Sequence, residues 1–225
     1  MASTHGPRRK LGDIMQRSTF ILCVSSLSLL TGMARPAIAQ ERMPEISVDK
    51  MSAAQKKAAE EFLAGRGKPV IGPFIPLLRS PEVLVRAKAM GDYLRFKSAL
   101  VPKLREFATL ITAREWTQQF EWYHHSEFAT EAGLSPTIIK ALAEGRRPEG
   151  MSDGEEVVYD FCTELHRNHS VSDTTYNKAI ATLGEQGTID LVSLTGYYTF
   201  VSMILNVNRT APPKGAASLL APFPK

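Results

Sequence analysis

The sequence contains only two cysteines, Cys23 and Cys162, among its 225 residues. Cys23 lies in an N-terminal segment with the pattern of a cleaved export signal, so one cysteine is left in the remaining chain. A chain with a single cysteine forms no intrachain disulfide. We therefore expect the fold to rest on a hydrophobic core, which residues 40–225 are numerous enough to supply.

Residues 1–39 have the parts of a secretory signal peptide. A basic start precedes an apolar run over 19–30, and Ala37-Ile38-Ala39 is a small-residue cleavage pattern. That run is too short to span a bilayer, which takes about 20 apolar residues. We expect export to the periplasm or the medium, with 1–39 removed and no membrane attachment afterwards. The pair Arg8-Arg9 is a feature of the twin-arginine route, although Pro7 and Gly12 fit that motif poorly.

An excess of basic charge is also lacking once this segment is set aside. Five of the 27 Lys and Arg residues lie in 1–39, against one of the 23 Asp and Glu residues, which leaves 22 of each sign in 40–225. No basic patch interleaved with aromatic residues is visible in the sequence. Nucleic acid is therefore not an expected partner.

Strand-type alternation is absent, and helix signals recur instead. Capping residues and N-terminal prolines predict helix starts at Ser52, Ser80, Pro102, Ser135, Ser152 and Ser172. A further helix is predicted over 117–132, and a last one, apolar on almost every side, over 188–207. A helix of that kind is typical of a protein core or a subunit contact, and its length is marginal for a membrane span. The sequence predicts an all-α fold.

The densest cluster of polar and aromatic side chains is 118–125. With 3.6 residues per turn, positions 118, 121, 122 and 125 are predicted to share one helical face, and Glu121 should meet His125 one turn later. A carboxylate beside an imidazole raises the pKa of the imidazole and fixes its tautomer, which suits proton transfer near neutral pH. The same spacing occurs in ordinary Glu–His pairs on wet helix surfaces, and spacing alone leaves both interpretations open.

Several stretches carry a family resemblance: Leu104-Arg-Glu-Phe-Ala108, Phe120-Glu-Trp-Tyr-His-His125, Glu131-Ala-Gly-Leu-Ser135, Ile139-Lys-Ala-Leu-Ala-Glu-Gly145, and 191–206 with Gly196-Tyr-Tyr198. Through them, residues 73–210 resemble the carboxymuconolactone decarboxylase family, to which alkylhydroperoxidase D also belongs. The resemblance implies a multi-helix fold of the alkylhydroperoxidase D type, in a single domain over 40–225. It also implies a homo-oligomer, a trimer or hexamer of helical subunits.

In alkylhydroperoxidase D relatives, one helix carries Cys-x-x-Cys-x-x-x-His, and a proton-relay Glu lies one helix earlier. Laid on this sequence, the two cysteine positions fall on Gln118 and Glu121, the His on His125 and the relay Glu on Glu106. That family's peroxide reduction needs a thiolate to attack oxygen and a second group to resolve the product. Gln and Glu do neither, so thiol peroxidase activity is not expected.

The resemblance implies instead chemistry of the decarboxylase type, on a small carboxylated or lactone-type substrate and without a cofactor. Such chemistry needs an acid/base group of near-neutral pKa and a group that holds a carboxylate. His125 is predicted to transfer the proton, Glu121 to orient and tune it, and Glu106 to act as second acid or relay. The candidates for substrate binding are Gln118, Arg105, Arg114, Trp122 and His124.

Two alternatives stay open on the sequence. Glu121-Trp-Tyr-His124 is also the Glu-x-x-His unit that di-iron bundles use twice, but no second copy is present in the sequence, so no metal is predicted. The other alternative is a non-catalytic scaffold that lost its cysteines and serves as an exported ligand-binding or assembly protein.

Overall fold

The computed structural model describes residues 40–213, 216, 220 and 221. The predicted export segment lies outside these residues. Within them the chain is helical and contains no strand, so the predicted all-α class is confirmed. In this part of the chain a short 3-10 turn, Val48–Lys50, precedes eight α-helices: α1 (Ala53–Arg66), α2 (Phe74–Leu77), α3 (Pro81–Phe96), α4 (Pro102–Glu115), α5 (Gln119–Glu131), α6 (Pro136–Ala143), α7 (Asp153–Asn168) and α8 (Asp173–Asn208).

Helix boundaries follow local capping chemistry. Ser52 and Gln55 form a reciprocal capping box at the start of α1, and Ser152 and Glu155 form another at the start of α7. Gly184 has φ 71° and ψ 176°, which interrupts α8 and divides it into two helical segments, 173–183 and 185–208. The sequence predicts this break, because glycine adopts positive φ with little strain.

Helix α4 is the centre of the fold. It packs against α5, α7 and α8, and its apolar stripe is buried as the sequence predicts: Leu104, Phe107, Ala108, Leu110 and Ile111. Because α4 is covered on several sides, its polar positions are buried as well. Thr109 and Thr112 satisfy their hydroxyls on the backbone carbonyls one turn back. Glu106 is left as a buried carboxylate that needs a partner from another helix.

The inner side of α3 agrees only in part with the prediction from its apolar residues, which are Val83, Leu84, Ala87, Met90, Leu94 and Phe96. Leu84, Ala87 and Leu94 are buried as predicted, whereas Val83, Met90 and Phe96 are exposed, Phe96 at 67%. The buried stripe is Leu84, Ala87, Gly91 and Leu94. The physical reason is close packing at Gly91, where the absence of a side chain admits the ring of Tyr197 from α8.

Helix α5 begins two residues later than the predicted 117–132. Thr117 has a φ of 47°, in the left-handed region, and Gln118 is extended and caps the helix by accepting from the Phe120 N–H. The prediction that position 118 lies on the helical face with 121 and 125 is therefore wrong, because the first turn has not begun there.

By length and composition, α8 is the one helix in the described part of the chain that could cross a membrane. Such a test is also passed by core helices of soluble proteins, and 56% of the apolar window is buried inside the protein. Leu191, Leu194 and Leu205 are fully buried, whereas Ile189 and Met203 are exposed on the outer side. The helix is thus a core element with one uncovered apolar face.

The contact between Gly91 and Tyr197 makes a testable prediction. A Cβ at position 91 would lie 2.7 Å from Cζ of the buried Tyr197 and would also collide with its hydroxyl. We expect Gly91→Ala to destabilise the protein by about 1–3 kcal/mol through overpacking, measured by urea unfolding. Gly196→Ala is the matched control, because a Cβ there meets nothing within 4 Å, and it should be neutral or slightly stabilising. Equal stability of the two variants would contradict the packing described.

Candidate active site

Three ionisable side chains from α4 and α5 meet in the interior. Glu106 Oε2 lies 2.5 Å from Nδ1 of His125, and Glu121 Oε2 lies 3.2 Å from its Nε2. The three residues are only 4–5% exposed. Both ring nitrogens of His125 are therefore occupied by carboxylate oxygens, an arrangement that we call the Glu–His–Glu triad.

Aromatic rings enclose the imidazole of the triad. Tyr198 from α8 meets the His125 ring edge-on at 4.9 Å between centroids, and Phe128 does so at 5.6 Å from the next turn of α5. Burial raises the pKa of Tyr198 well above its ordinary value, so its hydroxyl stays protonated. The rings cover most of the imidazole, whose side chain is 6% exposed, and lower the local dielectric, which strengthens its ionic contacts.

The two carboxylates set the charge of His125. Burial alone lowers the pKa of His125, but hydrogen bonds from the ring to Glu106 and Glu121 and their negative charges outweigh burial, so the pKa is raised. Burial alone raises the pKa of Glu106. The hydrogen bond from His125 and the positive charges of His125, Arg95 and Arg105 outweigh burial, so the pKa of Glu106 is lowered. Both directions favour the charged form of the contact, in which an imidazolium donates one N–H to each carboxylate.

A cleft of about 710 Å³ opens beside the triad. Its size is in the usual range for small-ligand sites. Glu121 and His125 line it, whereas Glu106 lies behind them. The walls are rich in aromatic rings, contributed by Phe62, Phe74, Phe96, Phe120, Phe128, Tyr197 and Tyr198. Four basic side chains, Arg66, Lys68, Arg95 and Lys97, and two carboxylates, Asp92 and Glu121, line the same space.

Of the five residues predicted to bind substrate, His124 lines the cleft. Burial lowers the pKa of His124, which leaves it neutral near pH 7. Trp122 is buried and lines a separate groove with Tyr123, Pro136 and Ile139, because one position after Glu121 the helix has turned by about 100°.

The other three predicted substrate contacts do not line the cleft. Gln118 donates from Nε2 to Asn206 Oδ1 at 2.8 Å, so its amide ties α5 to α8. Arg114 is buried at the end of α4 and contacts Thr117. Arg105 Nε lies 3.5 Å from Glu106 Oε1, on the side of that carboxylate away from His125. We therefore leave Gln118, Arg105, Arg114 and Trp122 out of the substrate-binding set.

Two residues of the site were not singled out as candidates from the sequence. Tyr198 lies within the Gly-Tyr-Tyr stretch that carries part of the resemblance, which was the available signal. Arg95 lies in the last turn of α3, where a basic residue is ordinarily explained by the helix dipole. Its place in the cleft depends on the packing of α3 against α8, which no local pattern reveals.

The single cysteine among the described residues, Cys162, is not placed for thiol chemistry. Cys162 is fully buried beside Thr195, and burial raises the pKa of its thiol to about 12. A thiol held protonated in this way is a poor nucleophile. Across the part of the chain that the structure describes, no group of three or more His, Cys, Asp or Glu side chains is arranged to hold a metal ion.

No family model and no curated protein matches this sequence. The fold is nevertheless that of the alkylhydroperoxidase AhpD core, as the sequence predicts. One solved example is a crystal structure of an uncharacterized peroxidase-related protein from Ralstonia eutropha JMP134. It superposes with a TM-score of 0.62 over 77% of this chain and 93% of that chain, at 14% sequence identity. At 14% identity, the similarity shows a shared fold and nothing more.

The opposite pKa directions of Glu106 and His125 predict how stability varies with pH. The folded pKa of Glu106 lies below its ordinary 4.5, so its contribution is present above pH 4.5 and is lost as pH falls through the folded value. The folded pKa of His125 lies above 6.5, so its contribution is complete below pH 6.5 and is lost as pH rises through the folded value. The stability difference between wild type and Glu106→Gln/His125→Gln should be largest between pH 4.5 and 6.5.

Urea unfolding over pH 3–9 measures this difference. It should change by about 1.4 kcal/mol for each unit by which a folded pKa is displaced. The control is Glu82→Gln/Arg86→Gln, which removes an exposed ion pair and should leave the shape of the profile unchanged. A wild-type advantage that is constant over the whole range would show that the buried pair is not charged as described.

Proposed function

We propose that this protein is a cofactor-free acid/base enzyme that moves a proton on a small carboxylated or lactone-type substrate, in the manner of the carboxymuconolactone decarboxylase family. The observation that carries the proposal is the Glu–His–Glu triad at the wall of a cleft of ligand size. A buried imidazole between two carboxylates stores a proton next to a space that a substrate can enter.

The geometry favours a particular order of proton transfer. Both nitrogens of His125 are engaged, so neither is free to meet a substrate atom. Glu121 lines the cleft and contacts Nε2 of His125, and Glu106 holds Nδ1 from behind. Glu121 is therefore the group that meets the substrate, and His125 supplies and recovers the proton. The sequence suggested the reverse assignment, with His125 at the substrate.

A decarboxylation at this site balances as follows. The bond between the substrate carbon and its carboxylate breaks, CO2 leaves, and the electron pair remains as a dienolate-like carbanion. A proton passes from His125 Nε2 to Glu121 and from Glu121 to that carbon, and solvent then reprotonates the triad. An isomerisation uses the same groups, with removal of a proton at one carbon and its return at another.

The alternative is a protein that binds a ligand in the same cleft without turning it over. Both functions require the cleft and its aromatic walls. The two functions differ in what they require of the triad, because ligand binding alone does not need a proton donor.

The test is a panel of unsaturated lactone carboxylates, including carboxymuconolactone, followed by NMR in D2O. Wild type should release CO2 or shift a double bond and incorporate one solvent deuterium per turnover. Glu121→Gln and His125→Asn should each reduce turnover by about 10²–10⁴-fold, since general acid/base catalysis contributes that much. His169→Asn is the control, because this exposed residue at the end of α7 has a left-handed conformation that Asn tolerates.

Turnover by both triad variants at the wild-type rate would reject the acid/base proposal. Saturable binding of panel members with no turnover by wild type would reject it in favour of the ligand-binding alternative.

A further inference from the structure

Arg95 occupies an unusual position in the cleft. Its Nε is buried and has no hydrogen-bond partner; the Nε of Arg105 also lacks a hydrogen bond but lies 3.5 Å from a Glu106 oxygen. The guanidinium carbon lies 5.2 Å from the ring centroid of Phe96 and 5.5 Å from that of Phe128, so two aromatic rings hold the group in place. A buried N–H without an acceptor is costly, by roughly 1–3 kcal/mol, and needs an explanation.

The other half-buried cations near Arg95 already have carboxylate partners. Arg66 contacts Asp92 at 2.7 Å, and Lys88 contacts the same carboxylate at 2.8 Å. Arg105 lies beside Glu106. Among the described residues, no carboxylate lies within 4.0 Å of the Arg95 guanidinium, which distinguishes Arg95 from Arg66 and Arg105.

The nearby carboxylates are committed elsewhere. Asp92 is shared by Arg66 and Lys88, and Glu106 and Glu121 are both held by His125. Moving any of them to Arg95 would break an ion pair to form another. The acceptor that Arg95 lacks is therefore best supplied from outside the chain, and the two exposed lysines that line the cleft, Lys68 and Lys97, would attract an anion.

We propose that Arg95 binds a carboxylate of the substrate, and that the substrate is a flat, unsaturated or aromatic ring acid. A planar guanidinium matches a carboxylate with two parallel hydrogen bonds. The ring attached to that carboxylate lies among Phe96, Phe120 and Phe128, with a ring carbon toward Glu121. The identification of this ligand as the substrate rests on the proposed function, whereas the anion site itself does not.

The Arg95-bound carboxylate is one that stays on the substrate. An ion pair with Arg95 stabilises the charged ground state, and loss of CO2 would remove that charge, so an interaction of this kind opposes decarboxylation of the group it holds. A substrate that is decarboxylated here therefore carries a second carboxylate, and a substrate that is isomerised needs only the one.

The experiment is calorimetric binding of benzoate and of benzamide, which has nearly the same shape without the charge. Wild type should bind benzoate at least 10-fold more tightly than benzamide. Arg95→Gln should weaken benzoate binding by about 10–100-fold, the range for hydrogen bonds to charged groups, and leave benzamide binding unchanged. Arg95→Lys keeps the charge but not the planar guanidinium, so its affinity for benzoate should lie between those of wild type and Arg95→Gln. Arg86→Gln is the control, since Arg86 lies on the exposed side of α3 and pairs with Glu82.

Three results would overturn the proposal: no benzoate binding by wild type at millimolar concentration, equal binding of benzoate and benzamide, or benzoate binding by Arg95→Gln at wild-type strength. A melting curve establishes that Arg95→Gln is folded, and Arg95→Lys supplies the test if it is not. Failure here is separable from failure of the proposed function, because Glu121→Gln should keep benzoate binding while it loses turnover. If Glu121→Gln keeps both benzoate binding and turnover, the proposed function fails but the anion site at Arg95 is unaffected.

Discussion

The buried contact between His125 and two carboxylates constrains where the surrounding helices can lie. An imidazolium away from water is stable only while both of its N–H groups have acceptors. Glu106 on α4 and Glu121 on α5 supply them, and Tyr198 on α8 covers the ring. The rotation of α4 about its axis is thereby fixed, since a small rotation would remove Glu106 from Nδ1. Buried ion pairs of this kind specify an arrangement more than they add stability.

Under the proposed function, the same contact also supplies the chemistry of the cleft. The fold is that of the AhpD core, yet no thiol among the described residues lines the cleft, and the position that would carry a sulfur by resemblance holds Glu121. Under the proposed function, a carboxylate next to His125 suits the site to proton exchange, whereas a thiol there would suit it to redox exchange. The aromatic walls and the basic side chains then select what enters.

Patterns in the sequence predicted those contacts of the site that depend only on the geometry of a single helix. The spacing of Glu121 and His125 predicts their contact, because residues four apart on a helix always face the same side, and the resemblance added Glu106. Gln118 was misplaced because helix periodicity was extended through Thr117, whose positive φ ends the preceding helix. The position of Arg95 in the cleft could not be predicted, since it depends on which side of α3 meets α8, and Gly91 rather than a large apolar residue decides that side.

The protonation state of His125 at neutral pH is the most direct measure of this account. Long-range ¹H–¹⁵N NMR of the wild-type protein at pH 7 should show both ring nitrogens of His125 protonated, with the Nδ1 proton shifted far downfield by the short contact to Glu106. His169, whose side chain is exposed in the same protein, gives the signal for comparison. A neutral His125 ring with one unprotonated nitrogen at pH 7 would contradict the triad as described, and with it the proposed proton store.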